Sequence, residues 1–205
     1  MQLKNIKIQE DKNRKFFDFW SKYYDKEFSI YLFDIISNTL NSIKVKDNSR
    51  ILDIGCGTGN LLYLLEKENK NLELYGIDLS KKMLEKAGKK LNKAKLIEIS
   101  AIILDKKFHK EFFDYIFVVD AFHHLPNHKE LMRKFYKILK KDGMLIITDF
   151  DFGIFFNFIF HLIEPGNSGI YTKKQIKSLF IGAGFLLKKQ KKIGLFSVVN
   201  IGVKK

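Results

Sequence analysis

The hydrophobic positions of the chain fall into two kinds of segment that alternate along its length. Compact apolar runs predict β-strands, and segments whose apolar residues recur every three or four positions predict helices. The predicted strands span 50–54, 72–77, 95–99, 113–119, 144–148, 185–190 and 195–202. The predicted helices span 12–43, about 59–68, a segment that begins near Ser80, about 126–139 and 172–183. This alternation predicts a mostly parallel sheet joined by right-handed crossovers.

The last two predicted strands are joined by a short turn at 191–194, which indicates a hairpin and hence an antiparallel edge strand. We therefore predict an α/β, Rossmann-like sheet of seven strands, mostly parallel with one antiparallel edge strand and with helices on both faces. The chain has two prolines and no low-complexity linker. Residues 1–205 are accordingly predicted to form a single domain, with a helical region at 1–46 and a core at 47–205.

The junction after the first strand carries three glycines at alternate positions, Gly55, Gly57 and Gly59. Glycine allows a sharp turn and lets the backbone approach a ligand that a Cβ atom would repel. The spacing is G-x-G-x-G and differs from the G-x-G-x-x-G of dinucleotide-binding enzymes. Cys56 lies inside the loop and is predicted to pack there rather than to act as a nucleophile.

Acidic residues follow three of the predicted strands: Asp53, Asp78 and Asp120. Ligands of open α/β sheets bind outside the carboxyl ends of the strands. Asp78 follows Gly59 by 19 residues, and a carboxylate there can accept two hydrogen bonds from vicinal ribose hydroxyls. Asp78 could instead cap the helix that follows, but Ser80 already supplies a cap. The sequence therefore favours ribose binding by Asp78.

These motifs together resemble class I S-adenosylmethionine (SAM) dependent methyltransferases, in the small-molecule group that includes ubiquinone and menaquinone methyltransferases. The resemblance covers nearly the whole chain and rests on the glycine loop and on segments 75–80 and 119–125. It implies that the cofactor is SAM, with S-adenosylhomocysteine as product. It implies cofactor binding by Tyr24, Asp53, Gly55, Cys56, Gly57, Gly59, Asp78, Leu79, Ser100, Ala101, Ile102 and Asp120.

The position after the third strand departs from the family pattern. The family commonly has an acid followed by Ala there, and the acid meets the adenine amine. This chain has Ser100-Ala101. A serine still accepts a hydrogen bond, so the expected loss is on the order of 1 kcal/mol. The adenine is then expected to pack on Ala101 and Ile102.

Two adjacent histidines, His123 and His124, follow the fourth strand, and His128 lies nearby. Imidazole titrates near neutral pH, so either of the adjacent pair is a candidate general base. The alternative is that they pack and form local hydrogen bonds, and the sequence does not separate the two. Three histidines without a supporting cysteine do not indicate a metal site, and no metal is predicted.

Aromatic residues concentrate near the N-terminus and at 152–163. The resemblance implies that the N-terminal aromatics belong to lid helices, with Tyr24 covering the cofactor. Segment 152–163 is interpreted as a packing helix, as a cover over the active site, or as a surface that makes peripheral membrane contact. It is too short to span a bilayer, and no other apolar run is long enough.

The chain has 37 basic and 23 acidic residues, giving a net charge of +14. This charge allows an RNA partner, but the lysines are scattered and form no aromatic-interleaved stripe. The segment Asp120-Ala121-Phe122-His123 also lacks the Asn/Asp-Pro-Pro-aromatic motif of adenine N6 methyltransferases. One cysteine and the lack of a signal-peptide pattern predict a cytoplasmic protein.

These observations favour a SAM-dependent methyltransferase with a small, partly apolar acceptor. Two alternatives stay open: an RNA methyltransferase and a non-catalytic SAM-binding partner protein. The sequence does not indicate the acceptor atom or the oligomeric state.

Overall fold

The computed structural model describes residues 2–68, 71–151, 168–194 and 196–205. Its centre is a seven-stranded sheet in the order β3-β2-β1-β4-β5-β7-β6. The strands are β1 Arg50–Ile54, β2 Glu73–Asp78, β3 Lys95–Glu98, β4 Phe113–Val119, β5 Leu139–Phe150, β6 Phe185–Ile193 and β7 Ser197–Lys204.

Seven α-helices are described around this sheet. They are α1 Gln2–Trp20, α2 Tyr24–Leu40, α3 Asn60–Lys67, α4 Lys81–Lys90, α5 Leu104–Lys107, α6 His128–Ile138 and α7 Lys173–Gly182. Two short 3-10 turns, Ala101–Ile103 and Phe122–His124, follow β3 and β4. Ser80 caps α4 by accepting a hydrogen bond from the backbone N–H of Met83 at 3.1 Å, as the sequence predicts.

The predicted Rossmann-like sheet is confirmed. Strands β1 to β5 pair in parallel, while β7 pairs antiparallel with both β5 and β6. The predicted hairpin places β6 at the sheet edge, with the antiparallel strand β7 one position further in. The chain runs from β1 outward to β3 and then returns to β4 on the other side of β1. This reversal opens a crevice at the carboxyl ends of β1 and β4, where ligands of such sheets bind.

Two apolar clusters cover the faces of the sheet. One includes Leu52, Ile116 and Phe135, and the other includes Ile51, Leu62 and Phe117, all of them essentially buried. Neighbouring strand residues alternate between the clusters because successive side chains of a strand point to opposite faces. The strands that carry the site are therefore held rigidly from both sides.

The N-terminal region differs from the sequence prediction. Residues 12–43 were expected to be helical, whereas helical structure begins at residue 2, ends at residue 40 and is divided into two helices by a turn at 21–23. The first ten residues are mostly polar, so their helical conformation has no strong apolar signature. β5 is also longer than the predicted 144–148, since it begins at Leu139, which pairs with Phe113 of β4, and pairs with β7 as far as Phe150.

The apolar segment 152–163 lies outside the described residues, so its three interpretations stay predictions. Within the part of the chain that the structure describes, no helix combines the length and the apolar character that crossing a bilayer requires.

Candidate cofactor site

The glycine loop folds back over the end of β2. The backbone N–H groups of Gly55 and Cys56 both donate to the carbonyl of Ile77, at 2.9 and 3.0 Å. The three loop glycines have positive φ angles of 69°, 52° and 79°. Residues other than glycine rarely adopt this region. The alternate glycines therefore allow the tight turn that the sequence predicts.

The three loop glycines face different surroundings. A Cβ atom on Gly55 would lie 2.7 Å from the Cβ of Ala121, and one on Gly59 would lie 2.8 Å from Leu91. A Cβ on Gly57 would have no neighbour among the described residues within 4 Å. Gly57 thus presents bare backbone to open space, which suits close approach of a ligand, whereas Gly59 accommodates α4.

Asp78 joins the loop to the end of β2. One carboxylate oxygen accepts a hydrogen bond from the N–H of Gly57 at 2.9 Å, and the other accepts from the N–H of Ser80 at 2.8 Å. Burial raises the pKa of this carboxyl, and the two backbone hydrogen bonds partly oppose that rise. Each oxygen keeps further lone pairs for a ligand.

Asp53, on β1, and Cys56, within the loop itself, both have buried side chains. Asp53 is buried, and burial together with the nearby Asp78 charge raises its pKa to about 8. Burial likewise raises the pKa of the Cys56 thiol. A high pKa disfavours the thiolate that a nucleophilic cysteine requires, which agrees with the prediction that the Cys56 side chain does not act as a nucleophile.

Helix α2 is tied to the glycine loop through Asp25. Its carboxylate accepts hydrogen bonds from Thr58 Oγ1 at 2.5 Å and Asn60 Nδ2 at 3.2 Å, and it pairs with Lys90 Nζ at 3.0 Å. Burial opposes ionisation of Asp25, but these partners outweigh it and lower its pKa. The preceding residue, Tyr24, lines the cleft.

Helix α1 lies across the carboxyl ends of the strands. Glu10, Asn13 and Phe17 line the same cleft, because residues three or four positions apart share one helix face. Asn13 donates from Nδ2 to the carbonyl of His124 at 2.9 Å, and the ring of Phe17 packs edge-on against His124. Further along the helix, Asp18 accepts a hydrogen bond from Ser80 Oγ at 2.5 Å.

The cleft contains about 720 Å³ of empty space, part of it open to solvent. This is within the usual range for small-molecule sites. Of the residues predicted from sequence, it is lined by Tyr24, Gly55, Gly57, Asp78, Leu79, Ala101, Asp120 and His124.

The other predicted cofactor residues lie at different places around the cleft. Asp53 and Cys56 line a smaller adjoining space that Gly55, Gly57 and Asp120 share. Ser100 contacts the cleft through Glu10, to which its hydroxyl donates. Gly59 and Ile102 are not among the described residues that line either space, and Gly59 packs against α4 instead.

Asp120 directly follows β4, beside the glycine loop, and has a positive φ of 54°. The hydroxyl of Tyr31, on α2, donates to its carboxylate at 3.2 Å. Tyr31 also stacks on Phe150, with ring centroids 6.0 Å apart. The second N-terminal helix therefore also contacts the end of β4.

The structure separates the two adjacent histidines. His124 lines the cleft, whereas His123 is buried and pairs through Nδ1 with Asp149 at 2.7 Å. Asp149 also accepts the backbone N–H of His123 at 2.8 Å. His128 has a local role, because its Nε2 donates to the Phe122 carbonyl and its Nδ1 accepts from the Tyr171 hydroxyl.

Asp120, His123 and Asp149 bring three potential metal-ligand atoms within 4.8 Å of one another. Both oxygens of Asp149 already accept hydrogen bonds from His123, at 2.8 Å to the backbone and 2.7 Å to the ring. Burial opposes ionisation of Asp149, but the His123 interactions outweigh it and lower the pKa of this carboxyl. The cluster is thus organised as a histidine–carboxylate pair next to Asp120.

The sequence reasoning missed Glu10 and Asn13, which line the cleft, and Tyr31, which bonds to Asp120; it placed Phe17 in the lid but did not name it as a cleft residue. Glu10, Asn13 and Phe17 carry a weak signal, namely their spacing on one helix face. Tyr31 carried none, since its partner Asp120 is 89 residues away.

The cleft fits SAM in its size and in the order of its polar groups. Asp78 is available for ribose hydroxyls, and the open backbone at Gly57 leaves room for the chain next to the ribose. Asn13 Oδ1 is buried and has no hydrogen-bond partner among the described residues, as expected for an acceptor that faces a ligand.

Comparison with known proteins places the chain in a family. Residues 45–181 match the family described as a methyltransferase domain. Phosphoethanolamine N-methyltransferase of Plasmodium falciparum is 36% identical over 115 residues, covering 54% of this chain and 42% of that protein. Demethylmenaquinone methyltransferase of Listeria welshimeri is 26% identical over 149 residues, covering 69% of this chain and 63% of that protein.

A solved structure of a SAM-dependent methyltransferase from Aquifex aeolicus superposes with a TM-score of 0.75 at 19% identity. The match covers 92% of this chain and 98% of that one, and it supports the fold. The chain spans less than two thirds of the length of the two curated relatives. With a family match over more than half of its residues, the chain belongs to the methyltransferase domain family, in the class I group whose cofactor is SAM.

Proposed function

We propose that this protein transfers the sulfonium methyl group of SAM to a small, partly apolar acceptor. The observation that carries this proposal is the cleft between Gly57, Asp78 and Asp120, which the two N-terminal helices close with Phe17 and Tyr24. SAM supplies a methyl group that is already activated for displacement. The protein is then required mainly to align the reactants and to exclude water.

The order of groups along the sheet edge supports one orientation of the cofactor. The Asp78 carboxylate accepts the ribose hydroxyls at the end of β2. The methionyl part extends towards the glycine loop and Asp120, whose carboxylate accepts from its ammonium group. The buried Asp53 orders the loop from below. Residues 1–46 act as a lid on the core formed by 47–205, because α1 and α2 bond to the loop and to the strand ends.

Any proton that the acceptor releases has a nearby recipient in His124, which lines the cleft. His123 is the weaker candidate, because its ring is buried and already pairs with Asp149. We therefore assign the candidate base to His124 and a positioning role to His123.

A second space, of about 750 Å³, adjoins the Tyr31 side of Asp120 and supports an apolar acceptor. Its described walls include Tyr31, Phe150, Ile193 and Phe196. The Tyr31 hydroxyl bonds to Asp120 at the cofactor cleft, so the two spaces share a boundary. Aromatic and aliphatic walls with few polar groups are typical of small-molecule sites. Of the two curated relatives, the one named for demethylmenaquinone agrees with an apolar acceptor, whereas the one named for phosphoethanolamine agrees with a small polar one.

Binding and turnover test the proposal separately. Calorimetry is expected to detect binding of SAM and S-adenosylhomocysteine and no binding of NAD. Methyl transfer from labelled SAM is then measured with quinone-like and amine acceptors and with structured RNA. The RNA assays are run at about physiological salt, where non-specific phosphate contacts weaken steeply.

The outcomes distinguish the alternatives that the sequence left open. Binding of NAD without SAM would refute the cofactor assignment. Selective RNA binding at that salt, unaffected by changing Phe155, Phe156 and Phe158, would favour the RNA methyltransferase. Tight SAM binding without turnover on any acceptor would favour a non-catalytic partner protein.

A further inference from the structure

Apolar residues near the ends of β2 and β3 line one part of the cleft, and the N-terminal helix adds the polar residues Glu10, Asn13 and Arg14 to its lining. Leu79, Met83, Ile99 and Ala101 form its described apolar walls, and Glu10 lines the same cleft. The residue that follows β3 on the sheet itself supplies no carboxylate to this part, because Ser100 stands near that position.

The sheet order indicates which part of the cofactor reaches this part of the cleft. Strands β3, β2, β1 and β4 are consecutive neighbours, so their carboxyl ends form a row. With the ribose on Asp78 at the end of β2, the cofactor extends in two directions. The charged amino-acid arm matches the glycine loop and Asp120 on one side, and the flat purine matches the apolar walls next to β3 on the other.

The Ser100 hydroxyl is already engaged on both sides. It accepts a hydrogen bond from the N–H of Ile102 at 3.0 Å and donates its own hydrogen to Glu10 Oε1. Ser100 therefore holds the Glu10 carboxylate in place. An ionised carboxylate only accepts hydrogen bonds and has about four acceptor sites, so Glu10 keeps capacity for a donor on the ligand.

We propose that Glu10, held by Ser100, accepts a hydrogen bond from the exocyclic amine of the adenine. Helix α1 then recognises the base. Its Glu10 supplies the carboxylate that the sheet lacks, because Ser100 stands near the end of β3 where the family commonly has an acid. This inference rests on the proposed SAM-binding function and deepens it. A consequence is that selectivity for adenine depends on docking of α1 over the cleft.

The proposal is tested with two ligands that differ at one position of the base. S-adenosylhomocysteine carries a 6-amino group, which donates, whereas S-inosylhomocysteine carries a 6-oxo group, which accepts. A carboxylate accepts from the first and repels the second. Wild-type protein is expected to bind the adenosyl ligand roughly tenfold or more tightly, because a site that pairs with a donor rejects a ligand lacking it.

The informative variant is Glu10→Gln, with Glu27→Gln as control. The glutamine amide can donate to a 6-oxo group, so Glu10→Gln is expected to reduce the adenosyl preference by roughly tenfold or to reverse it. Glu10→Ala is expected to reduce the preference without reversing it. Glu27 is exposed on α2, and its variant has the same change in charge, so the wild-type preference is expected there.

The outcomes distinguish failure of the Glu10 proposal from failure of the proposed SAM-binding function. If the wild type binds neither ligand, the SAM-binding function itself is refuted. If folded Glu10→Gln and Glu10→Ala both bind the two ligands with the wild-type preference, the Glu10 assignment is wrong and the function stands. Loss of the preference in Asn13→Ala, with Glu10 variants unaffected, would transfer the role to the Asn13 amide and overturn the proposal.

Discussion

Replacing Asp78 by asparagine tests the cofactor site most directly, because it changes one oxygen to nitrogen and little else. The carboxylate accepts the backbone N–H groups of Gly57 and Ser80, one on each oxygen. In the proposed complex the remaining lone pairs accept the two ribose hydroxyls. The side-chain amide of the variant would keep one acceptor oxygen. Its NH₂ group would face a backbone N–H and a ribose hydroxyl, which are donors themselves.

The expected loss of affinity follows from the kind of hydrogen bond removed. A hydrogen bond to a charged group contributes about 1.5–3 kcal/mol, so Asp78→Asn is expected to weaken SAM binding roughly 10- to 150-fold. The effect on folding is expected to be smaller, within about 1 kcal/mol, because two contributions oppose each other. The variant loses one of the two backbone hydrogen bonds to the side chain. It also no longer buries a charged carboxylate, whose burial is unfavourable and raises its pKa in the wild type. Asp78→Ala is expected to lose a similar amount of affinity and somewhat more stability.

Calorimetric titration with S-adenosylhomocysteine and urea unfolding measure the two effects separately. Asp114→Asn is the matched control, because Asp114 also accepts a backbone N–H, that of Arg50 at 2.8 Å, but lies near the start of β4. Its variant is expected to bind normally even if it is destabilised. A folded Asp78→Asn protein whose affinity stays within about twofold of wild type would refute the ribose assignment.

Three further changes test other parts of the site. Gly57→Val places a branched side chain in the open space above the loop and is expected to abolish cofactor binding in calorimetry. Gly184→Val also changes a glycine with a positive φ, of 95°, but lies outside the cleft lining and is expected to affect only stability; equal binding losses would contradict this. Asp53→Asn is expected to remove a pH dependence of stability. The pKa of Asp53 is about 8 in the folded state against the ordinary 3.8, so its contribution to stability is present below about pH 4 and is lost as pH rises through about 8. The free energy of unfolding in urea should therefore fall over that range for the wild type and not for the variant. Asp25→Ala removes the hydrogen bonds to Thr58 Oγ1 and Lys90 Nζ. It is expected to weaken cofactor binding and to speed proteolysis of the N-terminal helices, and an unchanged rate of proteolysis would contradict the lid role.

The sequence predicts the central sheet well because its strands are buried on both faces. β1 and β4 appear as short apolar runs, as fully covered parallel strands should, and the structure places them at 50–54 and 113–119. The turn chemistry of glycine also made the loop predictable. These features depend on local physical chemistry, so neighbouring residues suffice to predict them.

The arrangement of the lid depends on contacts between distant residues and was not predictable in the same way. Asp25 contacts Thr58 across 33 residues, and Glu10 contacts Ser100 across 90. Periodicity indicates that such residues share a helix face but does not identify what that face packs against. The adjacent histidines illustrate the same limit on a smaller scale, since one short 3-10 turn directs His124 to the cleft and His123 to Asp149.

The two N-terminal helices contact different parts of the site, and this division bears on how the lid works. α2 bonds to the glycine loop through Asp25 and to the end of β4 through Tyr31, which in the proposed complex are the methionyl side and the boundary with the apolar space. α1 places Phe17 against His124 and brings Glu10 to the part of the cleft that we propose for the base. A lid built in this way gains contacts at both ends of the cofactor, and its docked state is favoured by whatever ligand fills the cleft. If the proposed function is correct, cofactor binding and exclusion of water around the transferred methyl group are coupled through the same helices.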